Sequence, residues 1–169
     1  MKFMKLLMGA LFGTCLLLLL ALIFIGRDKG LALIFGPVEH QNIDFATLSL
    51  APTPNQFLVC PKDFCAAQSH LEGPVYNLSV TELKAEWLSF IEKQPRIENR
   101  TEAGAINNGK LQYDFIQRTE WMRYPDSITI RFIPIDQTTS TLAIYSRSHY
   151  GKSDFGVNEQ RIKSWLSQL

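Results

Sequence analysis

The chain has 169 residues, 46% of them hydrophobic, with a formal net charge of +1, which is room for one domain with a core of its own. Setting aside Lys2, Lys5, Arg27, Lys29 and Asp28, clustered at the N-terminus, leaves 13 basic and 15 acidic side chains. That balance argues against a nucleic-acid partner, whose recognition needs a basic patch or stripe.

Residues 6–25, LLMGALFGTCLLLLLALIFI, form a run of twenty without a charge. A helix of that length reaches about 30 Å, the hydrocarbon thickness of a bilayer. The run predicts an uncleaved transmembrane anchor over residues 1–29, with the lipid bilayer as partner through residues 6–25. A cleaved signal peptide would have a shorter apolar region and a small-x-small site, and nothing of that form follows Ile25. Cys15 reads as a small apolar residue within the helix. Lys2, Lys5 and the amino terminus tip the orientation toward a cytoplasmic N-terminus.

Residues 30–56 read as a tether. The apolar LALIF at 31–35 would lie in a membrane interface or add a strand, and Pro52 and Pro54 in APTPN favour an extended segment. Cys60 and Cys65 follow in CPKDFC. In an oxidising compartment they would form a disulfide, worth about 2 kcal/mol for so small a loop. Two free thiols, or a metal half-site completed by His70 or His149, are the other readings. The spacing is not the C-x-x-C of redox centres.

The folded domain is expected over residues 57–169. Ser79-Val80-Thr81-Glu82 has the form of a capping box, and Val80, Leu83, Trp87, Phe90 and Ile91 fall on one face of the helix that should follow. Pro95 should stop it by about Gln94. From Arg96 the period changes to two: Leu111, Tyr113 and Phe115, then Ile128, Ile130 and Phe132, then Leu142 and Ile144. Asn108-Gly109, Tyr124-Pro125-Asp126-Ser127 and Asp136-Gln137-Thr138-Thr139 read as turns. Such short connections imply an antiparallel meander. Ile162, Trp165, Leu166 and Leu169 mark a last helix. The expected fold class is α+β: an N-terminal transmembrane helix, then a small domain with an antiparallel meander sheet of three to four strands and two helices packed on one face.

Residues 145–162, YSRSHYGKSDFGVNEQRI, join the last strand to the last helix. The pattern YSRS-x-x-G-x-SD-x-G-x-N-x-x-RI resembles the C-terminal signature of the domain of unknown function numbered 1499 (DUF1499). The resemblance extends through Tyr124-Pro125-Asp126 to the region of Cys60, covering roughly residues 57–169. It implies a bacterial, membrane-associated protein and lends no activity, cofactor or catalytic residue. With the apolar run it suggests a bacterial inner-membrane protein, single-pass, its C-terminal domain periplasmic.

Within the motif, Gly151 and Gly156 suit positive φ, and Asp154 or Ser153 can cap the helix. Asn158 lies on the stripe of Ile162, so its amide should be buried and need partners, and Arg147 could pair with Asp154. Everything then reads as a polar lock between last helix and sheet. The functional reading takes Arg147, His149, Asp154, Asn158 and Arg161 as the rim of a pocket for a phosphate or carboxylate. Ser148, His149 and Asp154 have the residue types of a triad, but neighbours on an extended segment point to opposite faces, and no nucleophile elbow or zincin helix is present. No catalytic residue, metal site or cofactor is assigned. Glu82 and Glu86 read as a solvated helix face, and the sequons at Asn77 and Asn99 as chance in a bacterial chain. The preferred function is a binding or scaffolding module for an anionic lipid, small molecule or partner protein of the cell envelope. Its rival is an enzyme acting on an envelope substrate near His149 and Asp154.

Overall fold

The computed structural model describes residues 2–39, 41–101 and 111–169, and along the first helix the side chains at 4, 7–18 and 20. The chain divides into two compact units, Met1–Val38 and Glu39–Leu169.

The first unit holds helices α1 (Lys2–Ile25) and α2 (Arg27–Phe35), which part at Gly26, where φ is 82°. Its helices overturn the expected anchor: among the described residues, no helix is long and apolar enough to cross a membrane. LALIF belongs to α2, neither an added strand nor part of an extended tether.

The second unit is built on a seven-stranded mixed sheet, which corrects the expected meander of three to four strands. Its elements are β1 (Gln56–Cys60), β2 (Leu71–Glu72), β3 (Val75–Tyr76), α3 (Val80–Glu92), β4 (Ile97–Asn99), β5 (Gln112–Arg118), β6 (Pro125–Pro134), β7 (Ser140–Ser148) and α4 (Val157–Leu166). The sheet order is β2-β1-β7-β6-β5-β4, and β3 also pairs with β7. Strands β4 to β7 do follow one another antiparallel. The missed part lies before α3, where β1 and β3 line up end to end along the free edge of β7 and β2 adds parallel to β1. Period two could not reveal β1, whose sequence QFLVC is buried at every position; a strand covered on both faces reads as a continuous apolar run. Strands β2 and β3, two residues each, are too short for any period. Between them Gly73 passes so close to β7 that a Cβ there would meet the Leu142 carbonyl oxygen at 2.6 Å.

Helix α3 begins at the capping box read from the sequence: the Glu82 amide donates to Ser79 Oγ at 3.3 Å, and the Ser79 amide donates to Glu82 Oε2 at 3.0 Å. Its buried residues are Leu83, Trp87 and Ile91; those of α4 are Asn158, Ile162 and Trp165. Both helices cover the same face of the sheet, closing a core over Phe57, Val59, Phe115, Ile128, Ile130, Phe132, Leu142 and Ile144. Each such side chain taken fully from water contributes about 1.5–3 kcal/mol before the entropy of ordering it.

The opposite face carries its own apolar cluster. Leu58, Cys60, Ala143 and Tyr145 are covered by Phe45, with Ile43, Leu48, Leu50 and Phe64 packed around them. Phe45 is 3% exposed. The packed domain therefore reaches back to Glu39, ahead of the start expected at Phe57, and residues 43–50 form a cover over the sheet, where a tether was expected. The Asn108-Gly109 turn lies outside the described residues. The Asp136 turn is present, its carboxylate accepting from the amides of Thr138 and Thr139, both at 2.7 Å. The Tyr124–Ser127 turn is displaced: Pro125, Asp126 and Ser127 already belong to β6, and the chain reverses over residues 119–124.

Candidate functional site

The motif of residues 145–162 begins in β7 and ends in α4, and strand alternation divides it. Successive side chains of a strand point to opposite faces. Ser146 and Ser148 share the helix-covered face with Asp126 of β6, whereas Tyr145, Arg147 and His149 share the other face with Ser127. The motif thus contributes to two sites back to back.

On the helix side stands a buried polar network. The loop ends at Gly156, φ 79°, a left-handed position that a side chain would strain. The Asp154 carboxylate accepts from the Gly156 amide at 3.1 Å and the Asn158 amide at 2.8 Å, which starts α4 and favours its dipole. Asn158 is fully buried. Its Nδ2 donates to Asp154 Oδ2 at 2.7 Å and Ser148 Oγ at 3.1 Å, and its Oδ1 accepts from Arg161 Nη1 at 2.7 Å and from Ser146 Oγ. Arg161 reaches on to Asp126, its Nη2 donating to Oδ2 at 2.6 Å, while Ser148 Oγ donates to Oδ1, also at 2.6 Å. Burial pushes the Asp126 carboxyl above its ordinary value, opposed by the attraction of Arg161 and the bond from Ser148. With both oxygens of Asp126 and both ends of the Asn158 amide engaged, the network is closed on itself and offers a ligand little.

On the other side stand Arg147, Ser127 and His149. Arg147, expected to pair with Asp154, faces away from it; its Nε is buried without a hydrogen-bond partner. His149 Nε2 lies 2.6 Å from Ser127 Oγ, and its amide donates to the Pro125 carbonyl at 3.1 Å. Burial, then the positive charges of Arg147 and Arg118, push the His149 ring down to about 4, so the imidazole is neutral at pH 7. A cavity of about 10 Å³ opens beside Arg147 and Ser127, lined also by Thr129, Tyr145, Arg100 and the carboxylate-bearing Asp114. It admits one water-sized atom. Thr129 and Tyr145 are satisfied elsewhere, donating to Asp114 Oδ1 and Gln56 Oε1, both at 2.6 Å.

Of the five pocket residues read from the sequence, Asp154, Asn158 and Arg161 belong to the lock, and Arg147 and His149 to the second site. Asp126, Ser127 and Arg118 were missed. Asp126 and Ser127 look like turn residues in the sequence, and the signal that places them on a strand is the alternation of Asp126, Ile128 and Ile130 against Ser127 and Thr129. The triad types do not assemble, since Ser148 and Asp154 lie on the face away from His149. The Ser127–His149 pair lacks the remaining parts as well: among the described residues no carboxylate hydrogen-bonds the other ring nitrogen, and a base at about 4 is poorly matched to proton abstraction near neutrality. No group of three or more His, Cys, Asp or Glu among the described residues could hold a metal ion. Cys60 and Cys65 are joined as a disulfide, Cα atoms 6.2 Å apart, which excludes the half-site reading.

Fold and site together define an α+β domain with a mixed sheet, a polar lock under its last helix and, on its outer face, Arg147 beside Ser127 and His149. The chain belongs to the family described as "Protein of unknown function (DUF1499)", which matches residues 49–169. Among curated proteins and among solved structures nothing matches the chain.

Proposed function

We propose that the domain is a binding module for an anionic group, a phosphate or carboxylate, received by Arg147 with Arg118, Ser127 and His149 around it. The observation that carries this reading is the Arg147 guanidinium, held in the sheet surface with its Nε buried and unbonded. A buried donor without a partner costs about 1–3 kcal/mol, more for a charged group, and an anion would recover it. His149 supports the same reading in part, because after burial the next causes of its depressed pKa are the positive charges of Arg147 and Arg118. With room beside Arg147 for a single oxygen, the body of the ligand would stand outside the sheet. The Cys60–Cys65 disulfide supports an oxidising, extracytoplasmic compartment, so the ligand would be an envelope component.

The test is a titration of the full chain, kept in solution with a non-ionic detergent, with inorganic phosphate at constant ionic strength, following the His149 ring signals by NMR. Saturable shifts are expected, together with a rise of the His149 pKa as bound anion cancels the arginine field. Arg147→Gln should abolish both. Shifts that track ionic strength alone, or survive Arg147→Gln, would overturn the reading.

A further inference from the structure

Part of the lining of the small cavity beside Arg147 comes from outside the sheet. Ser127, Thr129 and Tyr145 are strand residues, whereas Gln41 and Ile43 belong to the segment ahead of β1 that covers the outer face. That segment is fastened in two different ways. At Phe45, 3% exposed, it is fixed by packing: the ring sits with Leu58, Tyr145 and Phe64, and the Phe45 carbonyl accepts from the Ala66 amide at 3.0 Å, next to the Cys60–Cys65 disulfide. The Asp44 carboxylate closes the turn around Phe45, accepting from the Ala46 amide at 3.0 Å and Thr47 Oγ1 at 3.1 Å. Ahead of the turn the hold is a side chain, Gln112 of β5, whose Nε2 donates to the Ile43 carbonyl at 2.8 Å. Ile43 is half-buried there, and Gln41, Asn42 and Asp44 are exposed.

A neutral side-chain hydrogen bond is worth less than a fully buried phenyl ring, so the segment gives first ahead of the turn. Residues 41–44 belong to no helix or strand, and the unit they serve begins at Glu39. They form its N-terminal arm and can lift without breaking a ladder, the low-stability kind of segment from which lids are drawn. We infer that residues 41–43 are a flap over Arg147, hinged at the turn of residues 44–47 and latched by Gln112. Latched, the flap leaves room beside Arg147 for one oxygen; released, it uncovers the guanidinium to a whole phosphate or carboxylate group, whose body takes the place of Gln41 and Ile43. That the entering group is an anion rests on the reading above. That Arg147 is covered stands on the cavity lining and the latch.

Chemical modification tests the flap separately from the ligand. The full chain in non-ionic detergent is treated with phenylglyoxal, which reacts with accessible guanidinium groups, and the adduct at Arg147 is followed by peptide mass spectrometry in the native chain and in Gln112→Ala. Arg147 should react severalfold faster in Gln112→Ala, while the Ala66 amide stays as protected from hydrogen exchange as in the native chain, because the hinge is intact. Inorganic phosphate should slow the modification and should move the His149 signals at a severalfold lower concentration in Gln112→Ala. Equal rates at Arg147 in the two chains would overturn the flap, whatever phosphate does. Faster modification together with a deprotected Ala66 amide would also overturn it, since the whole cover would then have peeled away from the sheet. Faster modification that phosphate does not slow, with His149 unmoved in both chains, would uphold the flap and overturn the anion reading alone.

Discussion

Arg161 of α4 donates to Asp126 of β6 at 2.6 Å, two charges 35 residues apart in sequence whose side chains are only 8% and 3% exposed. This pair, and not Arg147 with Asp154, fastens the last helix to the sheet. Removing one partner strands the other charge in a dry site, so Arg161→Leu should cost about 3–5 kcal/mol in urea denaturation. Arg161→Leu combined with Asp126→Leu should recover much of that loss, since a buried pair often breaks even against apolar residues of similar size. A double variant as unstable as the single one would mean that the remaining hydroxyls and Asn158, rather than the ion pair, hold the corner.

Arg147 should behave oppositely. Its Nε has no partner to lose, so Arg147→Gln should change stability by less than about 1 kcal/mol. Read as a lock, the sequence would have Arg147→Ala unfold the domain; the structure predicts that the variant folds and loses only the phosphate response. A cooperative loss of structure in Arg147→Ala would return this arginine to the lock.

Much of the domain was legible because its signals are local or periodic. The capping box at Ser79 and Glu82 uses residues three apart, and β5, β6, β7 and α4 announce themselves by alternation or by the stripe of Ile162 and Trp165. What failed needed partners distant in sequence. The short β2 and β3 exist only because β1 and β7 offer edges, and the cover of Phe45 acquires its meaning from Tyr145 and Leu58 a strand away. The site was half legible for the same reason. All five residues named in the motif are engaged or clustered, but not in one pocket: strand alternation puts Arg147 on the face opposite Ser146 and Ser148, whose side chains join Asn158 and Arg161.

His149 sets a pH dependence with a definite sign. Its pKa is held down at about 4 in the fold, against 6.5 for the free side chain. Between those values the unfolded chain binds a proton that the folded domain refuses, so stability is full above about pH 6.5 and falls as the pH drops through that window. Asp126 works the other way, since burial raises its pKa and the fold takes up that proton first. Melting temperatures of the native chain and of His149→Gln, compared from pH 7 to pH 4.5, separate the two. The His149→Gln curve should be flatter, and saturating phosphate should flatten the native one. Parallel curves would mean that His149 titrates in the fold as it does in solution, and the positive field around it would fall with that result.

The disulfide gives the last prediction. Cys60 and Cys65 close a loop with a sequence separation of 5, between the end of β1 and the cover of the outer face. So small a loop constrains the unfolded chain modestly, and Cys60→Ser/Cys65→Ser should lower stability by about 2 kcal/mol on chain-entropy grounds. Cys60 is 2% exposed and packs with Leu58, Phe45 and Tyr145, so the serine at 60 also places a hydroxyl in an apolar cluster. The damage should therefore centre on the outer face: hydrogen exchange should rise first in residues 43–50, which the disulfide loop packs beside, and least in Leu83, Trp87 and Ile91 under the helices. Uniform acceleration would show that the two faces unfold as one unit. A chain isolated under non-reducing conditions with both thiols free to alkylate would remove the support that this bond lends to an extracytoplasmic site.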